Sequence, residues 1–168
     1  YIFVDILSPI KELMQEQRGW DSTAFGTMQG SETFLNVFVF FLIFAGIILD
    51  KMGVRFTAIL SGAVMLTGAL IKYYAISDSF AGSALDIWFT DHLNHIPVFE
   101  QLGVSPFYEG MPASAKVAAC GFMIFGCGTE MAGITVSRGI VKWFKGREMA
   151  LAMGSEMALA RLGVATCM

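Results

Sequence analysis

The chain has 168 residues, 55% of them hydrophobic and 15% charged, with a mean hydropathy of +0.63 and a formal net charge of -3. A soluble domain of this length would have to expose far more polar surface, so the composition points to a bilayer. A cysteine framework is excluded too, because Cys120, Cys127 and Cys167 all lie in apolar segments and read as free thiols rather than disulfides or metal ligands.

The chain opens on YIFVDILSPI, with no Met and without the basic start and small-residue cleavage site of a signal peptide. It stops at GVATCM, inside an apolar helical pattern with no cap or breaker. Both ends read as cuts within helices of a longer membrane protein. Crossing a hydrocarbon core takes about 20 mostly apolar helical residues. The first segment is a stub over residues 1–13, interrupted by Pro9. The second covers about 22–49, polar in its outer half (Gln29, Glu32, Asn36) and wholly apolar from Val37 to Leu49. A third covers 56–76 with Lys72 near its far end, and a fourth covers 113–137 with Glu130 as its only charge after Lys116. The fifth begins near Glu148, carries Glu156 and Arg161, and runs to residue 168. No β-alternation and no repeat of 20–50 residues is evident.

The connections set the orientation. The turn between segments two and three carries Lys51 and Arg55, and the turn RGIVKWFKGRE carries Arg138, Lys142, Lys145 and Arg147. The long connection 77–112 has Asp78, Asp86, Asp91, Glu100 and Glu109 but no Lys or Arg. Lys and Arg are retained on the cytoplasmic side, so the basic turns are expected inside and the acidic loop outside. Within that loop, DIWFTDHLNHI is expected as a short amphipathic helix at the interface. His92 and His95 could face one metal, but two ligands without a third make a solvated loop face the better reading.

The stretch GIILDKMGVR fills the pattern G-x-x-x-D-[KR]-x-G-x-R with Gly46, Asp50, Lys51, Gly53 and Arg55. An ordinary positive-inside turn explains the basic residues and Gly53, but not an Asp at a helix C-terminus, where the dipole is already negative. The pattern resembles the signature motif of the major facilitator superfamily. That resemblance implies an all-α membrane protein, here the N-terminal part of the fold from a truncated helix one to a truncated helix five. It also implies that Asp50 braces the cytoplasmic gate against a helix of the other half when the carrier faces outward.

A narrower resemblance lies in Phe125 to Gly163, which contains F-G-x-G-x-E, the W-F-K-G-[KR]-E turn and A-R-[IL]-G. It is similar to the branch containing the lysosomal dipeptide uniporter and its bacterial relatives. Together the two cover most of 23–76 and 116–168, with the acidic loop outside. Many members carry an Arg four residues before the first Gly of G-x-G in helix four. Phe122 stands there in this chain, which suits facilitated transport more than proton symport.

Charged groups inside a bilayer cost several kcal/mol unless paired or wet. Glu130 lies eight residues before Arg138 and Arg161 thirteen after Glu148, which at the helical rise puts them roughly 12 and 20 Å from the cytoplasmic face. The difference of roughly 8 Å is close to the length of an extended dipeptide. Glu130 can accept from an ammonium and Arg161 offers a fork for a carboxylate; the resemblance implies those same roles. A structural Glu–Arg pair between helices four and five is the alternative. Glu156 departs from the relatives, which carry Gln. It either faces a cytoplasmic cavity and favours cationic side chains or bonds to the basic turn.

The expected function is alternating-access transport of dipeptides or similar zwitterions by facilitated diffusion, with no covalent chemistry and no cofactor. A small organic anion carrier using Arg161 alone, and a non-transporting receptor or assembly factor on a carrier fold, are the alternatives. The expected partners are the lipid bilayer and a small solute, with no nucleic acid; an accessory membrane subunit stays open. The expected location is multi-pass, in a cell inner or plasma membrane rather than a lysosomal one.

Overall fold

The computed structural model describes residues 9, 11–38, 40–92, 107–108, 110–144, 146 and 148–166, and among them every regular element is helical. Helix α1 is Lys11–Arg18 and α2 is Ser22–Gly30, followed by a 3-10 turn at Ser31–Thr33 and by α3, Phe34–Phe38. The long α4 is Phe41–Ile76, α5 is Ala84–His92, α6 is Ala113–Trp143 and α7 is Met149–Ala165. Of the expected first segment, residues 1–8 and 10 lie outside the described residues, and the helix found beside them, α1, is mostly polar.

The helix expected over 22–49 is divided. Asp21 caps α2, accepting from the Ala24 N–H at 2.7 Å, which satisfies one of the orphan donors of a first turn. Ser31 then donates to the Met28 carbonyl at 2.6 Å and to the Ala119 carbonyl of α6 at 3.0 Å, where the chain tightens into the 3-10 turn. A second interruption is at Phe40, held in the left-handed region at φ 52° and ψ 37°. It sits in the run Val37–Phe41, whose β-branched and aromatic side chains lose rotamer freedom in a helix. The uniform apolarity of Val37–Leu49 hid that break.

The turn expected between segments two and three narrows to one residue. Gly53, at φ 82° and ψ 167°, is the single non-helical residue inside α4, a conformation open to glycine and costly for other residues. Levels along α6 give the direction of the chain on either side. The Glu32 carbonyl lies against Gly126, and Asp50 pairs with Arg138, so the chain advances with α6 up to Asp50. Beyond Gly53 it returns, with Ser61 and Met65 against Gly128 and Gly68 against Gly121 and Phe125. The second arm of α4 is therefore antiparallel to α6.

Glycines set how closely those two helices approach. A Cβ at Gly68 would lie 2.5 Å from the Phe125 backbone nitrogen and 2.6 Å from the Gly121 carbonyl oxygen, and one at Gly121 would lie 2.9 Å from the Gly68 oxygen. Backbone atoms cannot yield as a flexible side chain would. Gly68→Ala is accordingly expected to destabilise the pair by about 1–3 kcal/mol. Gly62→Ala, with nothing within 4 Å of its Cβ, is expected to be neutral or to gain up to about 1 kcal/mol from helix propensity. Thermal midpoints of the two purified variants check this; equal midpoints would remove the steric role of Gly68.

Two helices, Phe41–Ile76 and Ala113–Trp143, are long and apolar enough to cross a membrane, the first by its arm beyond Gly53. Their outward faces are greasy: Ile59 is 74% and Leu66 62% exposed, and on α7 Leu151 is 72% exposed. Such a surface suits lipid and would be an aggregation liability in water. The inner core joins Trp20, Phe25 and Met28 to Ala115, Ala118, Ala119, Phe122 and Phe125 of α6.

At the end of the bundle away from Asp50, several ties hold the connections. Trp20 donates from Nε1 to Ser114 Oγ at 2.9 Å, and Arg18 pairs with Asp78 at 2.6 Å. The Tyr108 hydroxyl donates to Asp21 at 2.6 Å. That bond, with the one from Ala24, holds the Asp21 carboxyl below its ordinary value of 3.8. Desolvation, with Asp21 as acceptor and as negative charge, pushes the Tyr108 hydroxyl up to about 12. The signs are opposite. The Tyr108 contribution is complete below the ordinary phenol value of 10.0 and lost as pH rises through about 12. The Asp21 contribution is present above 3.8 and lost as pH falls through the depressed value. Between those limits the tie is expected to hold at full strength. Tyr108→Phe should raise amide exchange around residues 107–112 at neutral pH; unchanged exchange would show that the tie contributes nothing.

Candidate functional site

The motif residues gather around the reversal at Gly53 within α4. Asp50 and Arg138, the latter at the last turns of α6, form an ion pair whose side chains are 66% and 51% exposed. Lys51 and Arg55 flank it, both exposed, and a Cβ at Gly46 would meet nothing within 4 Å. The resemblance implied a brace against the other half of a carrier, whereas the partner of Asp50 here is Arg138 of the same helix bundle. Nothing in the spacing of the motif pointed to Arg138. Its place in a basic turn on the same side of the bundle was the available signal. Between α4 and α6 this end opens into a cavity of about 410 Å³ lined by Leu49, Asp50, Gly53, Val54, Arg138, Val141 and Lys142.

A second cavity, of about 440 Å³, lies deeper. Its walls carry Glu32 from the 3-10 turn, Met65 from α4, Glu130 and Gly133 from α6, and Glu156 and Ala160 from α7. The three carboxylates are half-buried. Helical geometry explains the selection. Glu130, Gly133 and Ser137 follow each other at three- and four-residue spacing and share one face of α6, as do Glu156 and Ala160 on α7. Glu32 reaches the same space because Gly126 has no side chain, so the Glu32 carbonyl can lie directly against α6.

Of the two residues expected to bind solute, the cavity includes Glu130, and Glu156, for which a place in a cavity was one of two expectations, lines it too. Arg161 is exposed and is not part of the lining. It is five residues past Glu156, about 140° around the helix, so the two point different ways. Glu32 was visible in the sequence as a polar residue of the second segment but was not singled out. Only packing could show that it lines the same cavity as Glu130.

Lys72 is 5% exposed, and its Nζ lies 4.4 Å from the centroid of the Phe122 ring, a cation–π distance. Glu32 also attracts this ammonium. Phe122 thus has a cation from the second arm of α4 above its ring.

His92 stacks on Trp88 with ring centroids 5.0 Å apart, and its Nδ1 is 3.1 Å from the Trp88 carbonyl. His95 lies outside the described residues. Among the described residues no group of three His, Cys, Asp or Glu could hold a metal ion. Cys120 and Cys127 are free, and Cys167 lies outside the described residues. Comparison with family models, curated proteins and solved structures returned no match.

Proposed function

We propose that this protein is a membrane carrier of the major facilitator type that moves small solutes bearing an ammonium group, dipeptides or similar zwitterions, by alternating access. The observation that carries the reading is the cavity of about 440 Å³ walled by Glu32, Glu130 and Glu156 between membrane-length helices. Carboxylates in such a place are costly unless wet or paired; Lys72 attracts Glu32, and a solute ammonium meets that need at Glu130 and Glu156 with charge-assisted hydrogen bonds. Glu130 is the primary acceptor. Arg161, exposed beside the lining residue Ala160, takes the carboxylate end where the solute extends past the rim. Transport needs solute contacts that differ between the inward-open and outward-open states. The Asp50–Arg138 pair supplies a gate element that one state keeps and the other breaks.

An organic anion carrier is less well supported, because three acids and no base line the cavity. Thermal-shift titration of the full-length protein with alanyl-alanine, its N-acetyl form and its C-terminal amide tests the reading. Stabilisation by the free and amidated peptides that exceeds that by the acetylated one is expected. Stabilisation by the acetylated peptide alone would instead favour the anion carrier.

A further inference from the structure

The basic end of the bundle carries features beyond the Asp50–Arg138 gate pair. The cavity of about 410 Å³ there pairs two cations, Arg138 and Lys142, with an apolar wall of Leu49, Val54 and Val141. Lys51 and Arg55 stand exposed on the adjoining turn. Directly beyond Lys142, Trp143 is 82% exposed and Phe144 41%. Aromatic side chains at the end of a membrane-length helix sit at the headgroup level, so the cavity opens where phosphates and upper acyl chains are found. The lining sets two cations, Arg138 and Lys142, against one acid, Asp50, which pairs with Arg138.

We propose that this cavity is a binding site for an anionic phospholipid of the cytoplasmic leaflet. Arg138 and Lys142 hold the headgroup phosphate, and Leu49, Val54 and Val141 face the first carbons of an acyl chain. A basic pocket between membrane helices on that side is suited to such headgroups. Asp50 competes with the phosphate for Arg138, so lipid occupancy and the Asp50–Arg138 pair oppose each other. The proposal rests on the membrane placement of α4 and α6 and is independent of which solute is carried.

Native mass spectrometry of the purified full-length protein, titrated with phosphatidylglycerol or phosphatidylcholine, reads the site directly. At least a fivefold preference for phosphatidylglycerol is expected. Arg138→Gln and Lys142→Gln should each reduce it about fivefold, and Asp50→Asn should increase it. Lys142 is exposed, so Lys142→Gln carries the test should Arg138→Gln fail to fold. Equal binding of the two lipids, or a preference unchanged in Lys142→Gln, would overturn the site. Competition by millimolar inorganic phosphate alone, with no gain from an acyl chain, would overturn the lipid as its source.

Discussion

Glu130→Gln in the full-length protein is expected to lose more than tenfold in affinity for a free dipeptide. Glutamine keeps the shape of the side chain and can still accept a hydrogen bond, so the loss isolates the charge. A charge-assisted contact of this kind contributes about 1.5–3 kcal/mol, which is tenfold or more in binding. The variant should also become indifferent to N-acetylation, since the group that read the amine has gone. Arg161→Ala should show the reciprocal pattern, losing free dipeptides while discriminating little against C-terminal amides. A structural Glu130–Arg161 pair makes another forecast, in which single variants lose abundance and the double neutral variant recovers folding and flux. Arg161 stands outside the cavity lining that contains Glu130, so that recovery is not expected. Its occurrence in a flux assay would reduce both residues to scaffolding.

Asp50→Asn is expected to slow transport while leaving solute affinity and overall stability nearly unchanged. The pair it makes with Arg138 is more than half exposed on both sides, and such surface pairs contribute about 0–1 kcal/mol. Spread over the whole fold that is a small change. Applied to an equilibrium between inward-open and outward-open states, the same energy shifts populations by up to about fivefold. Distance probes across the basic end should then show a wider distribution, and the charge-swapped variant Asp50→Arg with Arg138→Asp should restore the narrower one. An unchanged distribution in Asp50→Asn would remove the pair from the gate.

What could be read along the chain and what could not divides at the boundary between one helix and two. Depth along a helix follows from a fixed rise per residue, so Glu130 could be placed relative to Arg138 from spacing alone. The angle of Arg161 to Glu156 was equally accessible, and it agrees with the exposure of Arg161 outside the cavity. Which residues face each other across helices depends on approach distance and rotation. Here those are fixed by Gly68 against Gly121 and by Gly126 against Glu32. Small-residue contacts of this kind carry no pattern that names the partner position. That is why Glu32 and the Arg138 partner of Asp50 emerged only in three dimensions. The break at Phe40 was hidden for another reason: an unbroken apolar run has no periodicity to interrupt.

The measurement that bears most directly on the proposed carrier is uptake of labelled alanyl-alanine into liposomes reconstituted with the full-length protein, with and without unlabelled dipeptide preloaded inside. An alternating-access carrier returns faster when loaded. Saturable uptake, accelerated by preloading and lowered at least tenfold in Glu130→Gln at a dipeptide concentration well below saturation, is the result expected. Uptake that rises linearly with concentration, is indifferent to preloading and is equal in Glu130→Gln would contradict it.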